Sequence, residues 1–355
     1  MKALPNLTAL RFFLALFVVL FHIPQFCRNQ EIPFFDALSI FHKGKEAVYV
    51  FFSLSGFLII RQVYIEKKET GSISLPKFYM KRILRIFPLY YLILFTGFFY
   101  YRFLLPQLGY DFESNYNLLE GILLSVFFLP NVFGNLYHPG GIIEILWSIG
   151  IEEQFYLFIA PVMLWVKRNY ILPVLAGFTI VYFAVFFSDL LPQLYQFKMY
   201  FFYFSSSGLA SVLMLDKKVN GKGVKAAALL LLVMMTAYFT TSIFIDNLSE
   251  MGYHLFSMIL FAVFLSAICQ VPFSFLEHRI MKYLGTISYG IYMFHAIAMQ
   301  LVGLVFIKLI SNMGLPDTIQ ILLFNTLVIV LTILFAGISY RYYESYFLRL
   351  KKNFR

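Results

Sequence analysis

A histidine and an arginine stand in the first apolar segment of the chain, on one predicted helical face. Arg11 and His22 are eleven residues apart, which at about 100° per residue is three turns plus about 20°. An imidazole exchanges protons near neutral pH, so His22 is a candidate general base. These two residues alone leave an alternative open, in which Arg11 reaches lipid phosphate and His22 hydrogen-bonds a neighbouring helix.

Two further arginines have the spacing of an anion site. Arg82 and Arg85 are neighbours on a helix face, because residues three apart face the same way. Guanidinium groups match the geometry of phosphate oxygens, which makes the pair a candidate phosphate site. Taken alone, however, the pair is better explained as anchoring of a cytoplasmic helix end.

Carboxylates occur inside the apolar segment that begins near Trp147. Ser148, Glu152 and Tyr156 follow a four-residue spacing and share one helical face, whereas Glu153 points about 100° away. Ionisable side chains are costly at this depth and usually face a polar cavity or a basic partner. We therefore expect Glu152 to have a function.

A second histidine lies near the middle of a later apolar segment. Ser288, Tyr292 and His295 share a face of the helix that this segment predicts. A lone histidine of this kind is more often a structural hydrogen-bonding residue than a catalyst, and we take that interpretation as the default. No helix carries His and carboxylate side chains at close ligand spacing, so we predict no metal site.

The composition requires that these side chains lie in a membrane. Of 355 residues, 61% are hydrophobic and 13% are charged, whereas a soluble domain has about a quarter charged residues. Two cysteines are too few for a disulfide framework. A window of about 20 residues finds eleven candidate spans, which begin near Leu7, Ala47, Ile83, Leu118, Ile145, Ile171, Met199, Ala226, Tyr253, Thr286 and Thr318.

Basic residues indicate the topology, because short loops rich in Lys and Arg stay in the cytoplasm. The basic clusters all lie on the cytoplasmic side of the membrane if, and only if, the segment 118–133 does not cross the membrane. We therefore predict an all-α membrane protein of ten transmembrane helices, with both termini cytoplasmic and 118–133 re-entrant or interfacial. The net charge of +10 is then explained by the basic residues of the cytoplasmic loops and does not indicate nucleic acid binding. We predict one membrane domain, 1–345, and a short basic cytoplasmic tail, 346–355.

The polar positions, in this order, resemble the membrane acyltransferase 3 family. The opening motif of that family, L-D-G-L-R with H after ten further residues, is similar to residues 7–22, although Thr8 stands where Asp is usual. An acidic residue that is common just before the second motif is also absent from 47–50. The other similar motifs are F-F-x-L-S-G-F-L-I at 51–59, R-x-x-R-I-x-P-x-Y at 82–90, W-S-x-x-x-E-x-Q-F-Y at 147–156 and I-S-Y-x-x-Y-x-x-H at 287–295.

The resemblance implies acyl transfer from a cytosolic acyl-CoA, with acetyl-CoA as the expected donor, to a hydroxyl of an envelope or lipid-linked carbohydrate. It implies a catalytic set of His22, Glu152 and Arg11, in which His22 is the base or carries the acyl group and Glu152 orients His22 or stabilises its protonated form. Arg82 and Arg85 are then expected to bind the CoA phosphates. The residues expected to contact the acceptor are Trp147, Ser148, Tyr156, Tyr292 and His295.

The same resemblance places the protein in the bacterial inner membrane as a multi-pass protein. Its expected partners are membrane lipid, the carbohydrate acceptor and a separate periplasmic or glycan-assembly protein, because no soluble domain is expected after the last helix. The alternative function is a polysaccharide or lipid-linked sugar transporter or flippase without acyl transfer, since membrane Glu, His and Arg residues also hold transported substrates. Matched interrupted helices would favour transport, and the sequence shows no such pair.

Overall fold

The computed structural model describes residues 4–110, 115–215 and 221–354, and this part of the chain is helical without any strand. The helices are α1 (Leu7–Asn29), α2 (Gly44–Thr70), α3 (Leu75–Phe99), α4 (Leu105–Gln107), α5 (Leu118–Val126), α6 (Pro130–Tyr137), α7 (Gly141–Glu144), α8 (Trp147–Trp165), α9 (Ile171–Phe186), α10 (Pro192–Gln196), α11 (Phe201–Leu213), α12 (Gly221–Thr240), α13 (Ile243–Asn247), α14 (Glu250–Ile268), α15 (Arg279–Thr286), α16 (Ser288–Val305), α17 (Asp317–Ser339) and α18 (Ser345–Leu350). Single π-helical turns continue α3, α16 and α17 over Tyr100–Leu104, Phe306–Ile310 and Tyr340–Glu344. Short 3₁₀ turns occupy Ser39–His42, Arg168–Tyr170, Ser311–Met313 and Lys351–Phe354.

Several of these helices have the length and composition of membrane spans. Within the described residues there are eight, namely Leu7–Asn29, Gly44–Thr70, Leu75–Gln107, Arg168–Phe186, Gly223–Thr240, Glu250–Ile268, Ser288–Ile310 and Asp317–Phe354. The all-α membrane class is therefore confirmed. The other two predicted spans coincide with α8, which carries two glutamates, and α11, which has 13 residues. The count of ten and the cytoplasmic termini stay predictions.

The segment predicted not to cross consists of two short helices. α5 and α6 have nine and eight residues, about 14 and 12 Å at 1.5 Å per residue, so neither alone crosses a hydrocarbon core of about 30 Å. They meet at Phe128, a non-glycine residue with a φ of 59°. The Phe128 carbonyl accepts a hydrogen bond of 2.8 Å from Gln154, and the Ser125 carbonyl accepts one of 2.7 Å from the Tyr90 hydroxyl. Protein side chains thus satisfy this irregular backbone, as membrane depth requires.

The helices form two compact units. The first unit comprises Met1–Arg61 and Phe202–Gly337, and the second comprises Gln62–Phe201 and Ile338–Arg355. The predicted single domain 1–345 stays a prediction. The described part of the predicted tail is helical, and α18 packs against α3 in the second unit.

Glycines allow close helix contacts in the first unit. Gly285 of α15 lies against the Thr8 carbonyl of α1, and Gly56 of α2 lies against the backbone of Phe204 in α11. A side chain at either glycine would overlap backbone atoms of the facing helix. Small residues at helix interfaces are the usual means by which membrane helices approach closely. The glycine of the F-F-x-L-S-G motif is therefore required by packing.

The start of α1 is held by the Asn6 side chain. Its amide nitrogen donates to the carbonyls of Ile268 at 2.6 Å and Val271 at 2.7 Å. Its amide oxygen accepts the backbone N–H of Phe273 at 3.0 Å. Asn6 is buried, so these bonds offset the cost of burying the amide. They attach the helix that carries Arg11 and His22 to the segment after α14.

Acid should weaken this attachment through Glu277. Its carboxylate accepts from the Lys282 ammonium at 2.6 Å and from the Asn6 backbone N–H, and the hydrogen bond from Lys282 lowers the pKa of Glu277 below its usual 4.5. Because the folded pKa is the lower one, this stabilisation is present above pH 4.5 and is lost as the pH falls through the folded value. The thermal unfolding midpoint of Glu277→Gln should therefore fall less between about pH 6 and 3 than that of the wild type.

The expected difference is small, because the ion pair is partly exposed and partly screened. Glu69→Gln, which removes an exposed carboxylate from the end of α2, is the control and should follow the wild-type curve. If the thermal unfolding midpoints of the wild type and Glu277→Gln fell equally as the pH is lowered, the prediction would be contradicted.

The end of α8 in the second unit is capped from α2. The Lys67 ammonium donates to the carbonyls of Met163, Leu164 and Val166 at 2.6, 2.8 and 2.5 Å. The last carbonyls of a helix lack intrahelical partners and attract a positive charge. Lys67, which the sequence presents as one of several loop cations, therefore fixes the end of the helix that carries Glu152.

Candidate functional site

The predicted site residues are divided between the two units. α1 and α16 carry four of them in the first unit, and α3 and α8 carry six in the second. The predicted orientation of His22 by Glu152 joins residues of different units, and it stays a prediction. The first set is Arg11, His22, Tyr292 and His295; the second is Arg82, Arg85, Trp147, Ser148, Glu152 and Tyr156.

Two imidazoles meet in the first unit. His295 Nε2 lies 3.2 Å from His22 Nδ1, and the ring centroids are 5.0 Å apart. His22 Nδ1 also lies 2.9 Å from the carbonyl of Val18, and His295 Nδ1 lies 2.5 Å from the carbonyl of Tyr292. Sequence reasoning treated His295 as a lone histidine, whereas the structure pairs it with the predicted base.

The surroundings of this pair are aromatic. His295 is fully buried and Tyr292 nearly so, and their ring centroids are 5.8 Å apart. Phe21 lies edge-on to His22 at 5.0 Å, and Phe51 lies edge-on to Tyr292 at 6.5 Å. The imidazoles therefore occupy a largely apolar environment, with main-chain carbonyls and each other as polar partners.

Arg11 and His22 occupy the same helix, as predicted. α1 is continuous from Leu7 to Asn29, so eleven residues place them about 16 Å apart along its axis. Both side chains are half-buried. One continuous helix thus sets the separation between the arginine and the imidazole.

Arg82 is a buried cation in the second unit. Its guanidinium donates to the Gln62 side chain at 3.0 Å and lies 5.4 Å from the Phe78 ring centroid and 5.8 Å from that of Tyr156. Its Nε has no hydrogen-bond partner within the described residues. Arg82 is 7% exposed, so it does not extend to the surface as an anchoring arginine would, whereas Arg85 is half-buried.

The face predicted on α8 is present. The Tyr156 hydroxyl donates to Glu152 at 3.2 Å, as expected of side chains four apart. Ser148 is buried and Trp147 half-buried on the same helix. The Lys198 ammonium lies 5.4 Å from the Trp147 ring centroid, and nothing in the spacing of the sequence indicated this contact.

Glu153 is a buried carboxyl that the sequence analysis did not include among the site residues. It is 6% exposed, and its Oε1 has no hydrogen-bond partner in the described part of the chain. Its position on α8 is about 100° around the helix axis from Glu152, so its side chain lies on a different, buried face of this helix. The signal that could have found it was the occurrence of two adjacent carboxyls in an apolar helix.

A second polar cluster in the first unit also went unpredicted. The Tyr253 hydroxyl donates to Glu46 at 3.0 Å, and the Lys43 ammonium lies 3.6 Å from Glu46 and 3.3 Å from the Tyr253 hydroxyl. All three side chains are buried. The sequence signal was the Lys–Glu spacing of three at the start of α2. This places an acidic residue one helical turn before Tyr49, near where the family motif has one.

Metal ligands do not gather in the part of the chain that the structure describes. Residues 4–110, 115–215 and 221–354 contain no group of three or more His, Cys, Asp or Glu side chains that could hold an ion.

The fold and these side chains define a multi-pass membrane protein in which ionisable side chains are buried among the helices. Residues 4–341 match the acyltransferase domain family known as acyltransferase 3. Because the match covers nearly the whole chain, the protein belongs to this family, and the resemblance found in the motifs is confirmed.

Similar proteins carry acetyltransferase names. The chain is 29% identical over 316 residues to a putative acetyltransferase of Acidianus two-tailed virus, covering 86% of each protein. It is 31% identical over 137 residues to the peptidoglycan O-acetyltransferase OatA of Listeria monocytogenes, covering 35% of this chain and 21% of that protein. It is 25% identical over 182 residues to a putative O-acetyltransferase of Staphylococcus aureus (strain COL), covering 48% and 27%. No solved structure matches the chain significantly.

Proposed function

We propose that this protein transfers an acyl group, with acetyl as the expected one, from a cytosolic acyl-CoA to a hydroxyl of an envelope or lipid-linked carbohydrate. Family membership supports acyl transfer, and the O-acetyltransferase names of relatives support a hydroxyl acceptor and an acetyl group. The observation that carries the proposal is the His22–His295 contact of 3.2 Å, which provides an imidazole for proton transfer inside a membrane-length helix.

His22 is the proposed base. An alcohol is a poor nucleophile until a base removes its proton. His22 takes the hydroxyl proton as the oxygen attacks the thioester carbonyl, the C–S bond breaks, and the protonated imidazole returns the proton to the departing CoA sulfur. The products are the ester and free CoA. In the alternative order, the imidazole attacks the thioester carbonyl, the C–S bond breaks, and CoA leaves as the thiolate. The hydroxyl oxygen then attacks the acyl-imidazole, the C–N bond breaks, and the hydroxyl proton neutralises the thiolate, so the products are again the ester and free CoA.

The cationic side chains of α3 are proposed to bind the donor. The CoA phosphates require groups that match their oxygens, and guanidinium does so. Arg82 supports this role, because it is buried and its Nε is unpartnered among the described residues. Arg85 lies three positions further along α3 and supplies the second charge.

The remaining assignments complete the proposal. Glu152 stabilises the protonated form of His22, and Arg11 stabilises charge on the reacting atoms. The side chains proposed to contact the carbohydrate are Trp147, Ser148, Tyr156 and Tyr292. The proposed location is the bacterial inner membrane, with a separate periplasmic or glycan-assembly protein as the partner that receives or presents the acceptor.

Radiolabelled acetyl-CoA tests the reaction in membranes that contain the protein and the glycans of its host. His22→Ala should lower label transfer to the glycan fraction at least about a hundredfold, the range of a lost base. Arg85→Ala should raise the apparent KM for acetyl-CoA about tenfold or more, the effect of a lost charge-assisted hydrogen bond. His42→Ala and Arg279→Ala, which remove exposed side chains, are the matched controls and should behave as wild type.

Label transfer that survives His22→Ala would overturn the assignment of the base. An unchanged KM in Arg85→Ala would overturn the phosphate site. Glycan movement across the membrane without consumption of acetyl-CoA would identify a transporter instead.

A further inference from the structure

We infer that His295 is a positioning residue. Its Nε2 accepts a hydrogen bond from the Nδ1–H group of His22, and the reacting nitrogen of His22 is therefore its own Nε2. The inference rests on the proposed function of His22. It changes the role of His295. The spacing in the sequence favoured a structural role for it as a lone histidine, and the family resemblance placed it among the residues that contact the acceptor. It also identifies one atom of the site, where the family motif identifies only a residue.

The protonation of His295 follows from the atom beside its Nδ1. That nitrogen lies 2.5 Å from the Tyr292 carbonyl oxygen, and a carbonyl oxygen has no proton to give. Nδ1 of His295 must therefore be the donor. In a neutral imidazole the other nitrogen then carries a lone pair, so Nε2 of His295 is an acceptor.

The protonation of His22 follows in the same way. Its Nδ1 lies 2.9 Å from the Val18 carbonyl and 3.2 Å from Nε2 of His295. Both neighbours accept and neither donates, so His22 must hold its proton on Nδ1. The N–H is shared between the two acceptors, and the opposite tautomer would place three lone pairs against one another.

The consequence for chemistry is that the lone pair of neutral His22 lies on Nε2. This nitrogen takes the hydroxyl proton in direct transfer or attacks the thioester carbonyl in the acyl-histidine route. When Nε2 gains a proton, His22 becomes an imidazolium whose Nδ1–H bond to His295 is charge-assisted and stronger. A bond that strengthens as charge develops stabilises the transition state more than the ground state.

A neutral acceptor suits the site. Hydrolytic triads use a carboxylate to orient the histidine, but an additional buried charge is costly in apolar surroundings. His295 is fully buried and is itself held by the main chain of α16, so it orients His22 without adding charge. The distance of 273 positions between the two histidines explains why no local motif indicated the pair.

The tautomer can be read directly by nitrogen NMR of the full-length protein in lipid nanodiscs. The chain has six histidines, and with 15N-labelled histidine the His22 signals are identified by their loss in His22→Asn. We expect the Nδ1–H form for His22 in the wild type and a smaller share of it in His295→Leu, in which the Val18 carbonyl is the one remaining acceptor of the two described above. His295→Gln should restore the Nδ1–H form, because the glutamine side-chain oxygen can accept where Nε2 accepted. This measurement requires no knowledge of the acceptor.

Kinetics separate positioning from packing. With radiolabelled acetyl-CoA and host membranes, His295→Leu should lower the maximal rate of label transfer about ten- to a hundredfold, within the range of an impaired base. It should leave the apparent KM for acetyl-CoA unchanged, and His295→Gln should recover most of the rate. The packing control is His254→Asn, which removes another buried histidine of the first unit, one bonded to the Tyr203 hydroxyl at 2.8 Å; it should leave the rate per folded protein unchanged.

Three results would overturn the inference. They are a wild-type rate in His295→Leu, the Nε2–H form of His22 in the wild-type protein, and equal rate losses in His295→Leu and His254→Asn, which would assign His295 a packing role. The outcome is distinguishable from failure of the proposed function. If His22→Ala is inactive while His295→Leu is fully active, the base stands and only the positioning role fails.

Discussion

Replacing Gly285 by alanine is expected to separate α15 from α1 and to lower the rate of acyl transfer about a hundredfold. The added methyl group would overlap the carbonyl of Thr8 and lie 3.0 Å from the backbone nitrogen of Ala9. Backbone atoms cannot rotate away as a flexible side chain can, so one helix must move. Overpacking of this kind costs about 3 kcal/mol at the upper end of its usual range.

The rate of acyl transfer per folded protein should fall together with the stability. Thr8 stands one turn before Arg11, and α1 also carries His22, so a displaced helix misplaces both. A displacement of about 1 Å at reacting groups can cost about a hundredfold in rate. The measurements are the thermal unfolding midpoint in detergent and the label transfer per folded protein.

Gly223→Ala is the matched control for Gly285→Ala. Gly223 lies in α12 of the same unit and has no atom within 4 Å of an added Cβ, so this variant should keep both stability and rate. A folded, fully active Gly285→Ala would show that α1 and α15 do not pack as closely as described.

Lys67→Met should produce the second large effect, a loss of about 3 kcal/mol in the stability of the second unit. Methionine retains the length and apolar stem of lysine but removes the donors to Met163, Leu164 and Val166. A buried carbonyl without a partner costs about 1–3 kcal/mol, and water can satisfy some of the three. The thermal unfolding midpoint and the steady-state level in the membrane should both fall.

Lys77→Met and Lys67→Arg sharpen this test. Lys77 is exposed near the start of α3, and its replacement should change little, although it removes the same charge. Lys67→Arg keeps the charge but not the compact ammonium, so it should recover only part of the stability. If Lys67→Met and Lys77→Met lower the thermal unfolding midpoint by the same amount, Lys67 contributes only its charge to the stability.

The local site geometry was largely predictable where it depended on one helix. The four-residue spacing of Glu152 and Tyr156 predicted a shared face, and the two side chains are hydrogen-bonded. Arg11 and His22 lie on one continuous helix because the segment between them is uniformly apolar. Helical periodicity acts over a few residues, so a sequence displays it directly.

Contacts between distant helices were not predictable in the same way. His295 looked like a lone histidine, and Lys67 looked like one of many loop cations. Glu153 looked like the less important of two neighbouring carboxyls. In each case the partner, or its absence among the described residues, depends on which helices pack together, and no local spacing records that.

The sequence by itself determined the membrane class and the family of this protein. An apolar fraction of 61% with 13% charged residues cannot cover a water-soluble surface, and five motifs in order indicated acyltransferase 3. Tertiary structure alone decided that His295 faces His22, that Arg82 turns inward and that Lys67 caps α8. The physical reason is that composition and periodicity act along the chain, whereas the partner of a buried polar group is chosen by the helices that exclude lipid and water around it.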